Sequence, residues 1–146
     1  MSYERMTPCR PEDVNYVFDH LWERGVVELE GLGRTVEDGR QAALRRIAES
    51  ESCAILYKGE PVCVLGHVDN ATWFQATEAF TEHFEQITRE MRDISEGRDF
   101  VIYSQCIHRR TEKWFRLCGY ERVPEWQGET VTGKPVYMFR RSPNVL

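Results

Sequence analysis

A chain of 146 residues that is 41% hydrophobic has the length and apolar content for one globular domain, 1–146, with a substantial core. It holds no apolar run of about 18 residues, so no membrane span or membrane partner is expected. Its net charge of −5 argues against a dedicated nucleic-acid binder.

The opening segment, MSYERMTPCRPED, has no apolar signal core, and so is not marked for secretion. Cys9, Cys53, Cys63, Cys106 and Cys118 form an odd, scattered set without a C-x-x-C. Reduced, buried thiols in a cytoplasmic protein are the reading, and with the histidines equally scattered no metal site is expected.

The first strand candidate is Tyr3–Met6. Pro11, Glu12 and Asp13 then open a helix, with proline suited to the first turn and acids beside the positive helix end. Val14, Val17, Phe18, Leu21 and Trp22 follow at helical spacing. Gly25, Gly31 and Gly33 mark a loop around VVELEGLG. Thr35 caps a second helix over 36–50, with Ala43, Leu44 and Ile47 inward and Arg40, Arg45 and Arg46 on a solvated face.

A hairpin comes next: CAILY and VCVLGHV flank the turn residues Gly59 and Pro61. A third strand covers 71–74, and the longest helix is expected over 77–95. Phe80, Phe84, Ile87, Met91 and Ile94 make its stripe, predicted to pack on the following strand. That strand starts at Phe100 and continues to Ile107. Thr111, Trp114, Phe115 and Cys118 line one face of a short helix that Gly119 stops. A strand beginning at Tyr120 pairs with a last one near Val136. The expected fold class is α/β: a mixed, largely antiparallel sheet with helices on both faces.

The stretch from His108 to Tyr120 resembles the end of the GNAT (Gcn5-related N-acetyltransferase) domain, whose pattern there is N-x-x-A-x-x-L-Y-x-x-x-G-F. Gly119 matches the glycine, Tyr120 the final aromatic and Trp114 the apolar position. His108 stands at the asparagine, Thr111 at the alanine and Phe115 at the tyrosine. The element order is also that of the GNAT fold. More particularly, ATWFQATEAF, the Glu- and Arg-rich helix after it and HRRTEKWFRLCGY resemble the GNAT-like proteins of T7-like bacteriophages, the family that includes internal virion protein A. That resemblance implies phage or host proteins as partners, and the host cytoplasm or the virion as location.

The GNAT resemblance implies acetyl-CoA as cofactor. An acetyl transfer needs backbone N–H groups around the pyrophosphate, a base for the ammonium, and a proton donor for the thiolate. The family's glycine-rich pyrophosphate loop falls at Gln75, Ala76 and Thr77, with Glu78 next and no glycine between Gly66 and Gly97. This argues against an intact cradle. Arg109 and Arg110 are the side chains that could meet a phosphate instead. His67, Asp69 and His108 are the candidate bases; His108 is the best placed, at the mouth between strand and helix. Phe115 has no proton to give, and Tyr120 is the nearest tyrosine. Two function classes follow: a degenerate acetyltransferase-like protein that acts by binding, or an active acyl-CoA-dependent N-acetyltransferase on a protein or small-molecule amine.

Overall fold

The computed structural model describes residues 2–106, 108 and 110–143. In chain order these are β1 (Tyr3–Met6), α1 (Pro11–Asp19), α2 (Glu23–Gly31), α3 (Val36–Glu49), β2 (Glu51–Tyr57), β3 (Glu60–Val68) and β4 (Ala71–Ala76). A 3-10 helix (Glu78–His83) leads into α4 (Phe84–Ser95), followed by β5 (Phe100–Ser104) and α5 (Thr111–Leu117). The short β6 (Glu121–Arg122) and β7 (Gly128–Glu129) precede β8 (Pro135–Arg141).

The strands form one sheet in the order β1-β2-β3-β4-β5-β8-β6, with β7 on β8. Every pairing is antiparallel except β4 with β5, which run parallel and meet at one pair, Ala71 opposite Val101. β2 and β3 are buried along nearly their whole length. Strand alternation then splits their side chains between two cores. Ala54, Leu56 and Val64 pack with Val14, Val17 and Phe18 of α1 on one face. Cys53, Ile55, Cys63 and Leu65 pack on the other with Ile87 and Met91 of α4, Phe115 of α5 and Tyr120.

Several expectations hold. Thr35 caps α3 through a reciprocal pair: its hydroxyl accepts from Asp38 N at 3.1 Å, and its own N–H donates to Asp38 at 2.9 Å. Gly119 has φ +94°, and a Cβ there would overlap the Arg141 guanidinium, so only glycine fits.

Others are corrected. The expected loop around VVELEGLG is the helix α2, whose glycines answer to packing. A Cβ on Gly25 would meet Gln75 Oε1, and one on Gly31 would overlap the Gln105 amide. The first helix ends at Asp19, so Leu21 and Trp22 leave its stripe. Leu21 instead bridges Thr77, and Trp22 stands at the N-cap of α2. The helix expected over 77–95 is two helices of different pitch, joined at His83 and Phe84. Phe84 is only partly buried as a result, whereas Phe80, Ile87 and Met91 are core. The strand from Phe100 ends at Ser104, and Ile107 lies outside the described residues.

Burial pushes the thiols of Cys9, Cys53 and Cys118 up to about 12 and that of Cys106 up to about 11, and Cys63 is also well raised. All five are unbridged. Because the thiolate is the nucleophile, alkylation of the native protein near pH 8 is expected to be slow, with five thiols reacting once it is denatured without reductant. A denatured count of three would contradict this.

Candidate functional site

Beyond Ala71 and Val101, β4 and β5 diverge, and a cavity of about 240 Å³ lies in the gap. Residues 72–75 and 102–104 form its strand walls, and α2 and α5 close it from opposite faces of the sheet. Thr77 N donates to Val62 O of β3, so strand alternation turns the backbone groups of Phe74 toward the gap.

Glu28 of α2 lines this cavity. Its carboxylate accepts from Ser104 Oγ at 3.0 Å and from Gln105 N and Nε2 at 3.4 Å each. Gln105 Nε2 also donates to Glu28 O at 3.0 Å, which ties α2 to the end of β5. Burial raises the carboxyl above its ordinary range, partly offset by those hydrogen bonds. A carboxyl of raised pKa in a cleft has the character of a general base. Glu28 is hidden in the sequence because Gly25, Gly31 and Gly33 give its segment the pattern of a loop; the available signal is its position between Val26, Val27 and Leu29.

Between the 3-10 helix and α5, the wall is aromatic. Trp22 and Phe80 have ring centroids 4.6 Å apart, Phe80 and Trp114 5.2 Å, and Phe74 and Trp114 5.1 Å. Trp22 Nε1 donates to Gln75 Oε1 at 3.3 Å, and Trp114 Nε1 donates to Thr88 Oγ1 at 3.0 Å. Trp73 and Phe74 of β4 also line the cavity.

The backbone after β4 is fully engaged. Thr77 N donates to Val62 O at 3.0 Å, Glu78 N to His20 O at 3.1 Å, Ala79 N to Thr77 Oγ1 at 3.2 Å and Phe80 N to Thr77 O at 3.1 Å. Trp22 N donates to Ala76 O at 3.1 Å. The turn from α1 to α2 therefore sits against the segment where the GNAT resemblance implies a pyrophosphate loop. Of the three residues assigned there, Gln75 lines the cavity, Ala76 is fully buried and Thr77 caps the 3-10 helix.

His108 reaches the cavity mouth, and its Nδ1 accepts from Arg110 N at 3.2 Å. Arg110 is exposed at the start of α5, and Arg109 lies outside the described residues. Tyr120 is 1% exposed; its hydroxyl shares a 3.0 Å hydrogen bond with Thr72 Oγ1, and burial pushes its pKa up to about 12. Tyr120 does not line the cavity but bonds Thr72, which does, and Phe115 lines it directly. His67 lies away from the cavity, stacked on Phe100 with centroids 3.7 Å apart, and Asp69 sits in the turn before β4. Tyr103 is exposed and packs on Trp126.

Arg40 and Arg46 are not the solvated decoration the sequence suggested. Arg40 pairs with Asp19 at 2.7 Å and Glu37 at 3.2 Å, and Arg46 lines the cavity. No helix among the described residues is long and apolar enough to cross a membrane.

No family model matches the chain, and no curated protein matches it. Solved structures do. AAC(6')-Ib in complex with ribostamycin and coenzyme A is 13% identical, with 97% of this chain and 94% of that one covered and a TM-score of 0.65. A GNAT-family acetyltransferase from Bacillus anthracis is 10% identical over 99% and 97%, with a TM-score of 0.64. RimL, a ribosomal L7/L12 alpha-N-protein acetyltransferase in complex with coenzyme A, is 12% identical over 97% and 94%, with a TM-score of 0.59. A mixed sheet that parts between its parallel central strands, with helices on both faces and these structural neighbours, gives this chain the fold of the GNAT acetyltransferases.

Proposed function

We propose that this chain is a degenerate, phage-type GNAT protein that works by binding, as an accessory or internal virion protein, rather than by acetyl transfer. One observation carries the reading. The N–H groups of Thr77, Glu78, Ala79 and Phe80 are all spent on acceptors within the protein, so a pyrophosphate would have to break those bonds to gain its own. Glu78 adds a negative charge at the same turn.

The two stretches that carry the phage resemblance, ATWFQATEAF and HRRTEKWFRLCGY, meet where Phe74 and Phe80 pack against Trp114. The partners proposed are phage or host proteins, in the host cytoplasm or the virion.

A second reading, an acyl-CoA-dependent N-acetyltransferase, is favoured by Glu28. Its raised carboxyl, in a cavity flanked by α2 on one face and α5 on the other, would take the proton from an ammonium brought in beneath α2. Some structural neighbours hold coenzyme A or acetyl-CoA, which makes acetyl-CoA a plausible ligand here. The leaving thiolate would still find Phe115 where a proton donor is needed.

Native mass spectrometry with acetyl-CoA separates the two. The binding reading expects no 1:1 complex tighter than about 1 mM. A saturable complex, with turnover on spermidine or a lysine peptide that Glu28→Gln abolishes, would overturn it in favour of the enzyme.

A further inference from the structure

The cavity between β4 and β5 continues under α3 into a narrower slot of about 80 Å³. Leu29, Leu32, Trp73, Phe74 and Arg46 line both spaces. Arg34 lines the slot, and no acidic side chain does. Among the described residues, nothing forms an ion pair or hydrogen bond with the Arg46 guanidinium. Its surroundings are instead basic and aromatic: it stands 6.0 Å over the Trp73 ring, and burial, with Arg34 and Arg45 adding to it, pulls its pKa down. A half-buried guanidinium with like charges nearby and no counter-ion is in an unfavourable setting, and an anion would relieve it.

We propose that this slot is a binding site for a small organic anion, its carboxylate or phosphate held by Arg46 and Arg34 and its apolar body lying along Trp73, Phe74 and Leu29. Arginine offers a planar fork that matches either headgroup. The main cavity's 240 Å³ falls below the roughly 300–1,000 Å³ of drug-sized sites, which limits the body to about one ring. Glu28 lines only the main cavity, so a ligand cation would sit at that end, away from the slot. The proposal rests on the slot and holds whether or not acetyl-CoA binds.

The test is calorimetric titration of the whole protein with phenylacetate and phenyl phosphate, with 2-phenylethanol and 2-phenylethylamine as neutral and cationic controls. At least one anion is expected to saturate, and which one does so distinguishes carboxylate from phosphate. The two controls are expected not to saturate. Arg46→Gln is expected to weaken anion binding about ten-fold or more, while Arg89→Gln, exposed on α4 and away from the slot, leaves it unchanged. Arg46→Lys keeps the charge without the fork and is expected to fall between, which covers the case of a poorly folded glutamine variant. The proposal is overturned if neither anion saturates, if 2-phenylethanol binds as tightly as the anions, or if Arg46→Gln and Arg46→Lys both bind like the parent. Acetyl-CoA binding is read separately by mass, so each result stands alone.

Discussion

Replacing Trp114 with alanine is expected to destabilise the fold by about 3–5 kcal/mol, the usual cost of truncating a large buried aromatic. Trp114 is 4% exposed and touches Phe74, Phe80 and Phe115 with its ring. Its Nε1 donates to Thr88 Oγ1, whose own proton already goes to Phe84 O at 2.7 Å, so the indole joins α5 to the second turn of α4. The space left cannot close easily, because Trp22 and Phe80 are already packed against each other. Urea melts of Trp114→Ala and Trp114→Phe measure this; phenylalanine keeps most of the volume and is expected to lose clearly less. A loss below about 1 kcal/mol for alanine would mean that the wall relaxes and the aromatic cluster is not a fixed barrier.

Acid is expected to weaken the fold through His67. This ring is 5% exposed and flat against Phe100, and burial lowers its pKa to about 4, outweighing Glu51 Oε1 at 3.3 Å; Arg98 pushes the same way as burial. The unfolded chain takes up the proton near 6.5, before the folded one does. His67 therefore contributes its full stability above about pH 6.5, and that contribution is lost as the pH falls from there through about 4. The span of roughly 2.5 pH units corresponds to about 3 kcal/mol. Stability against pH for the parent and for His67→Gln isolates this from the carboxylates, which titrate in both. Parallel curves between pH 7 and 4 would show that His67 takes its proton as easily folded as unfolded.

The elements legible in the sequence were those fixed by local pattern. The β-rich apolar runs CAILY and VCVLGHV, the reciprocal cap at Thr35 and Asp38 and the stop at Gly119 each depend on neighbours a few residues away. The helix α2 was not legible because Gly25 and Gly31 read as breakers. Their lack of a Cβ is required by Gln75 and Gln105, about fifty and seventy residues further on. The change of pitch after His83 was equally hidden, since a stripe of apolar residues does not distinguish a 3-10 turn from an α-helical one. Without α2 the sequence gives no place to Glu28, and the pattern of α3 alone puts Arg46 in solvent. The position of His108 beside the cavity was legible because it lies inside a motif whose spacing survives. The filled amides after β4 were half visible: the missing glycines were evident, but the chain that occupies their place, His20 to Trp22, was not.

The single pairing of Ala71 with Val101 also makes the sheet a jointed object. β2, β3 and β4 are held to one another along long antiparallel ladders, and β5 is held to β8 in the same way. Between these two rigid leaves, there is one parallel rung and a set of side chains. A small change in the angle at that rung moves the far ends of β4 and β5 apart by much more than it moves the rung itself. The leaf with α3 carries Arg46, and the leaf with α5 carries Trp114, so the two walls of the cavity belong to different bodies. Three sets of side chains set its width by spanning the two leaves: Trp114 against Phe74 and Phe80, the Tyr120 hydroxyl on Thr72, and the clasp of Glu28 on Ser104 and Gln105.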